Sequence, residues 1–127
     1  MNEVLTALWN YGRILLMHLR GGTCDGNRVL SAKAVSRMQE DRIASYGGSS
    51  TAAPGSGGAE GYGLGWWIDR SNAGVFMDPG AYGAVPWLDL PRGYGAFLAL
   101  EADAGLGVQL FAAVKPFADA VFDGAKR

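Results

Sequence analysis

Between residues 47 and 61 the chain reads Gly-Gly-Ser-Ser-Thr-Ala-Ala-Pro-Gly-Ser-Gly-Gly-Ala-Glu-Gly, with nothing apolar larger than alanine and no periodicity. Such a stretch buries too little to offset the entropy of ordering it, so it reads as a flexible loop. It separates a first part with helical spacing from a second part with strand-like, aromatic runs. A linker between two domains has the same composition, but neither flank is large enough to hold a core of its own. With 127 residues, 49% of them hydrophobic and 18% charged, one core is the default. The expected organisation is therefore a single domain over 1–127: a helical segment at 1–46, the loop at 47–61, and strands with a terminal helix at 62–127.

In the first part, Val4, Leu8, Tyr11, Leu15 and Leu19 follow one another by three or four, which predicts an amphipathic helix over about 3–20. Gly21-Gly22 stops it, because glycine supplies the left-handed residue that closes a helix end. Ser31 is placed to cap a second helix from Ala32 to about Glu40, with Ala34, Val35 and Met38 inward and Lys33, Arg37 and Glu40 in water.

In the second part, Tyr62 to Arg70 reads as a strand, Ser71-Asn72-Ala73-Gly74 as a turn, and Val75-Phe76-Met77 as the returning strand of a hairpin. Val85 to Asp89 is a further strand, which Pro86 assigns to an edge or a kink because it has no amide to give a ladder. Leu90-Pro91-Arg92-Gly93 is a turn, and Tyr94 to Leu100 a strand with Tyr94, Ala96, Leu98 and Leu100 on one face and Phe97 and Ala99 on the other. In the tail Leu106, Leu110, Val114, Phe117 and Val121 recur at helical spacing, with Pro116 expected to kink the helix or begin a second one.

Composition narrows the partners. A net charge of -1 with 11 scattered Lys and Arg supplies no basic footprint for nucleic acid. The longest apolar run, Ile14-Leu15-Leu16-Met17, is far short of a bilayer, so no membrane span is expected. The first residues carry Glu3 and no basic cluster ahead of an apolar core, unlike a secretory leader, and cytoplasmic and periplasmic settings both stay open. Cys24 is the one cysteine, and His18 the one histidine, without a carboxylate at helical spacing. That excludes an internal disulfide and argues against a metal site; Cys24 reads as a turn residue and His18 as a helix-surface or packing residue.

The remaining feature is Asp78-Pro79-Gly80-Ala81-Tyr82-Gly83, between the aromatic runs Gly65-Trp66-Trp67-Ile68 and Val85-Pro86-Trp87-Leu88-Asp89. Glycines at 80 and 83 suit a place where backbone or ligand comes close, and also a simple strand bulge.

Taken in order, Thr6-Ala7-Leu8, Tyr11-Gly12-Arg13-Ile14-Leu15-Leu16-Met17, Gly21-Gly22, Gly26-Asn27-Arg28-Val29-Leu30-Ser31 and Met38 resemble the helical segment of the class C β-lactamase-like serine hydrolases. That family includes penicillin-recognising enzymes, esterases and D-amino-acid peptidases. Gly61-Tyr62-Gly63-Leu64-Gly65-Trp66-Trp67 resembles the family's segment that follows. Residues 78–83 stand where the family has its third motif, Lys-Thr-Gly or His-x-Gly, and Pro86-Trp87-Leu88-Asp89 resembles the next strand.

The resemblance implies an α+β chain with a partial β-lactamase-like fold: an antiparallel sheet of about four strands, an N-terminal helical pair and a C-terminal helix. It also implies an acyl-serine mechanism on a small ester or amide, without a cofactor. Neither Ser-x-x-Lys nor Tyr-x-Asn occurs in this chain, so no catalytic residue is assigned within it. The resemblance thus implies a C-terminal part of such a hydrolase, inactive alone, whose partner is an upstream N-terminal part or a second copy. The alternative is a non-catalytic binding or interaction domain derived from that fold. The substrate-binding and oxyanion residues implied are Asp78 in place of the cation, Pro79 for threonine, Gly80 for glycine, Ala81 for the oxyanion amide, and Gly83.

Overall fold

A computed structural model describes residues 3–52 and 56–125. Ala53, Pro54 and Gly55 of the glycine-rich segment lie outside the described residues, as does the side chain of Val4. Helix α1 (Glu3–Leu19) is followed by a small hairpin of β1 (Thr23–Cys24) and β2 (Asn27–Arg28), then by α2 (Ala32–Gln39). Five antiparallel strands follow: β3 (Gly61–Tyr62), β4 (Trp67–Ile68), β5 (Val75–Met77), β6 (Val85–Asp89) and β7 (Tyr94–Leu98). They are ordered in space as in sequence, and α3 (Ala104–Ala125) ends the described chain.

The sheet is the middle of three layers because successive strand residues point to opposite faces. On one face Ile68, Phe76 and Leu88 meet Leu15 of α1, with Trp66 beside them and Tyr11, Leu19, Met38 and Phe97 around. On the other, Met77, Trp87 and Tyr94 meet Phe111 and Ala118 of α3. β6 is covered on both sides, so all five of its residues are buried. The α+β class, the helical pair, the antiparallel sheet and the terminal helix are as expected, with one strand more than the four anticipated.

Local chemistry accounts for the helix ends. The Gly22 N–H bonds Met17 O at 2.9 Å, and a Cβ at Gly22 would lie 2.0 Å from Leu30 O, so only glycine lets the chain turn there. Ser31 Oγ accepts the Ala34 N–H at 3.0 Å and caps α2. Cys24 is buried with Met17 and Val35 at the end of β1 rather than standing free in a turn. The described part of 47–61 is held by hydroxyls: the buried Ser50 donates to Ala59 O (2.8 Å) and Gly61 O (3.2 Å), and Ser56 donates to Thr51 O.

Three expectations need correction. The single strand over 62–70 is instead a hairpin of β3 and β4. A Cβ at Gly63 would sit 2.2 Å from Met38 O, so the chain folds over α2 there, with Gly63 N–H bonded to Trp66 O and Leu64 N–H to Met38 O. Pro86 lies in the inner strand β6, not at an edge. Its carbonyl accepts the Asp78 N–H at 3.1 Å, so its missing donor faces the side where β5 has already ended. Pro116 does not begin a second helix: α3 runs through it as one helix of 22 residues.

The face of α3 that docks is also not the one with the cleanest apolar spacing. Leu106, Leu110, Val114, Phe117 and Val121 are exposed, Phe117 at 77%. Phe111, Lys115, Ala118, Asp119 and Phe122 face the sheet instead, where Phe122 stacks on Tyr94 with ring centroids 4.3 Å apart. By length and composition alone α3 is apolar enough to cross a membrane. An exposed apolar stripe on α3 and an outer edge of β7 that pairs with no further strand among the described residues both promote association. Light scattering on the 127-residue chain should show a mass that rises with concentration, and Phe117→Glu together with Val121→Lys should return it towards the monomer.

Candidate functional site

The segment 78–84 is a turn that carries the chain from β5 to β6. Gly80 N–H bonds Ala84 O at 2.8 Å and Gly83 N–H bonds Gly80 O at 3.0 Å, while Asp78 N–H continues the ladder to Pro86 O. The backbone of this turn is thereby fixed, and the Ala81 N–H is left without a described backbone acceptor. Ala81 is exposed, Tyr82 is 79% exposed, and Pro79 and Gly83 are buried.

The two glycines play different parts. Gly83 has φ 90°, and a Cβ there would lie 3.1 Å from Asp103 O and 3.2 Å from Leu100. Its own carbonyl is the seat of α3, because a Cβ on Gly107 would lie 2.0 Å from Gly83 O. The Tyr82 carbonyl accepts the Ala102 N–H at 3.0 Å, which ties the same turn to the segment leading into α3. At Gly80 no other backbone comes close: a Cβ there would make only an ordinary contact, 3.5 Å from Ala84 O. Gly107 is the residue that sequence reading missed. Its one signal was a glycine inside an apolar helical repeat, which points to close packing.

Asp78 follows Phe76 in the strand alternation and is half-buried, and its charge is felt by Tyr11 of α1. Burial pushes its carboxyl above the ordinary value of 3.8, and no described side chain neutralises it. Tyr11 is raised too, first by its own burial and then by Asp78. Tyr11 is held in place by stacking on Phe97, centroids 4.4 Å apart. A carboxyl with a raised folded pKa favours the protonated fold, so its cost is absent below about pH 4 and grows as pH rises through the folded value. Asp78→Asn should therefore raise the denaturant midpoint at pH 7, and the gain should shrink to nothing in acid.

At the opposite end of β6 from the turn, on the α3 side, lies a charged cluster. Asp89 is fully buried and receives Lys115 Nζ (3.0 Å), Arg92 Nη1 (3.0 Å) and the Arg92 N–H (2.9 Å). Lys115 also bonds Asp119 at 2.9 Å, Tyr94 Oη donates to Asp119 at 2.7 Å, and Trp87 Nε1 donates to Tyr94 Oη at 3.0 Å. Burial and the Asp119 carboxylate together push the Tyr94 hydroxyl far up, so it stays a donor. Each charge here already has its counter-charge, so the cluster fastens α3 to β6 and β7 rather than leaving a group free for chemistry.

No protein-family pattern matches this chain, and no curated protein matches it. Among solved structures the chain is similar to one described as a "putative beta-lactamase" from Bacteroides dorei DSM 17855, with a TM-score of 0.61 and 25% sequence identity over 86% of this chain. This is a partial β-lactamase-like fold. The likeness covers 38% of the neighbour's own length, so the β-lactamase-like part seen here corresponds to well under half of that protein. Ala81 and Tyr82 are the exposed residues of the turn, α3 is seated on it where Gly107 meets the Gly83 carbonyl, and the Asp89 cluster fastens the same helix to the far end of β6.

Proposed function

We propose that this chain is the C-terminal part of a class C β-lactamase-like serine hydrolase, forming one domain over 1–127 and one wall of an active-site crevice. Asp78, Pro79, Gly80, Ala81 and Gly83 are its contribution. The observation that carries the reading is the hydrogen-bonded turn that presents an unengaged Ala81 N–H at the surface of a β-lactamase-like sheet. A backbone donor held so, before the charge develops, is what an oxyanion intermediate requires.

The remaining chemistry comes from outside these residues. A serine of a Ser-x-x-Lys motif attacks the carbonyl of a small ester or amide, and lysine and tyrosine move the protons. The upstream polypeptide that carries them covers the apolar stripe of α3 and the free edge of β7. Asp78 cannot bind a substrate carboxylate as a lysine there would, since it repels one. The substrate is accordingly an uncharged ester or amide.

Asp78 and Pro79 also favour a second reading, in which the turn is a contact surface in a non-catalytic interaction domain. Hydrolysis of a p-nitrophenyl ester separates the two. The chain alone should give no burst, and the chain mixed with the upstream polypeptide should give one. A stable complex of the two that forms without any burst would support the interaction domain instead.

A further inference from the structure

The five-stranded sheet is covered at one edge and open at the other. Beside β3 the preceding loop takes up the outward groups: Arg42 N–H bonds Tyr62 O at 2.8 Å and Ser50 N–H bonds Glu60 O at 2.9 Å. Beside β7 nothing corresponds among the described residues. Which of its peptide groups are left over follows from the ladder. The Pro86 carbonyl turns towards β5, where it accepts the Asp78 N–H, so Val85, Trp87 and Asp89 turn towards β7. Their partners are Leu98, Ala96 and Tyr94, which leaves the N–H and C=O of Gly95 and Phe97 directed out of the sheet. Both residues are half-buried, and no other hydrogen bond among the described residues engages these groups. The strand reads Tyr-Gly-Ala-Phe-Leu, without the charge, proline or bulge that blunts an edge.

The layers above and below offer this edge apolar side chains. On one face Leu8, Trp9, Gly12 and Leu16 of α1 line a cleft with Gly95, about 340 Å³ in volume. On the other face, α3 turns Ala112 and Pro116 towards β5, where they line a cavity with Val75 and Met77. At about 3.6 residues per turn, Leu110, Phe117 and Val121 fall on the opposite flank of α3, on the outer side of β7. The edge itself is complementary in charge to an extended backbone, since its outward N–H groups are positive and its outward C=O groups negative, at strand spacing. A second β7 does not fit. Paired strands lie about 5 Å apart and packed helices about 8–10 Å apart. Because α1 sits on β7 so closely that a Cβ on Gly95 would come 3.1 Å from Leu15, two copies would drive their α1 helices into each other.

We propose that β7 takes up a further β-strand from another polypeptide, one with no helix of its own on the α1 side, apolar on both faces and bulky opposite Gly95. This deepens the hydrolase reading and rests on it for the source of the strand, the upstream polypeptide. The probe is the capped peptide Lys-Val-Val-Leu-Val-Val-Lys, titrated into the ¹⁵N-labelled 127-residue chain while amide exchange is followed by NMR. The expected result is saturable binding with exchange slowed about tenfold or more at Gly95 and Phe97, and unchanged at Ala96, whose N–H already bonds within the ladder. N-methylation of the apolar residues of the peptide keeps its side chains and removes its N–H groups, and should weaken binding about tenfold or more. Gly12→Glu, where a Cβ meets nothing within 4 Å, puts a carboxylate into the α1 cleft and should weaken binding to a similar degree. Absence of saturation at millimolar peptide would overturn the proposal. So would equal binding of the N-methylated peptide or unslowed exchange at Gly95 and Phe97, which mark contact with the α3 stripe alone, or an affinity unchanged in Gly12→Glu. No hydrolysis is read, so the strand site can fail while the ester burst of the reconstituted protein succeeds, and the reverse.

Discussion

Asp89→Ala is expected to destabilise the fold by about 3–5 kcal/mol at pH 7, the range for removing one partner of a buried ion pair. The residue is fully buried, and its loss leaves Lys115 and Arg92 with only the more exposed carboxylates of Asp119 and Asp123. Burial by itself would raise the Asp89 pKa. The Arg92 N–H, the Lys115 ammonium and the Arg92 guanidinium outweigh it and hold the carboxyl below the ordinary value. A depressed folded pKa gives stability that is fully present above about pH 4 and is lost as pH falls through the folded value. The gap between the wild type and Asp89→Ala in a urea titration should therefore narrow in acid, the opposite of the trend for Asp78→Asn. A gap that is independent of pH would show that the carboxylate charge is not what fastens α3.

Gly107→Val should produce the second large loss, about 3 kcal/mol, at the upper end of what overpacking a tight contact costs. Alanine there would gain up to about 1 kcal/mol of helix propensity over glycine. Steric conflict outweighs that gain, because the first side-chain atom already falls 2.0 Å from the Gly83 carbonyl, a backbone atom with no rotamer to escape into. Gly124, near the other end of the same helix, has nothing within 4 Å of such an atom, so Gly124→Ala is the control and should be neutral or stabilising. Thermal melts of the two variants read this directly. Because Gly107 seats α3 on the turn, Gly107→Val should also increase the hydrogen-exchange rates of residues 80–84, which Gly124→Ala should leave alone.

Much of the architecture could be read from residue spacing. The helical repeats gave α1 and α2 with their Gly22 and Ser31 boundaries, and the alternation from Tyr94 separated Tyr94, Ala96 and Leu98 from Phe97, faces that the structure covers with α3 and α1 respectively. What spacing does not contain is which partner each face finds. In α3 two stripes compete. The purely apolar one is exposed, and the one that docks carries Lys115 and Asp119, whose cost of burial is met only because Asp89, far away in sequence, waits on β6. The same limit applies to Pro86, whose missing donor is harmless only because β5 is three residues long. Trp66 and Tyr94 are both buried, whereas the apolar stripe of α3 is open.

At the turn, sequence reading weighted the two glycines equally. Gly83 is required by its φ and its neighbours, whereas Gly80 is simply small. The role proposed for Ala81 comes only by way of family likeness, since an alanine has no side-chain chemistry to notice. What the structure adds is that the hydrogen bonds of Gly80 and Gly83 on either side leave its N–H without a described backbone acceptor.

The most direct test of the account is the steady-state and burst rate of p-nitrophenyl ester hydrolysis when the upstream polypeptide is supplied to the wild-type chain and to Ala81→Pro, which deletes one N–H. With circular dichroism unchanged, an oxyanion donor at this position predicts a loss of roughly 10²–10³ in rate for the variant. Equal rates in the two reconstituted proteins would contradict it.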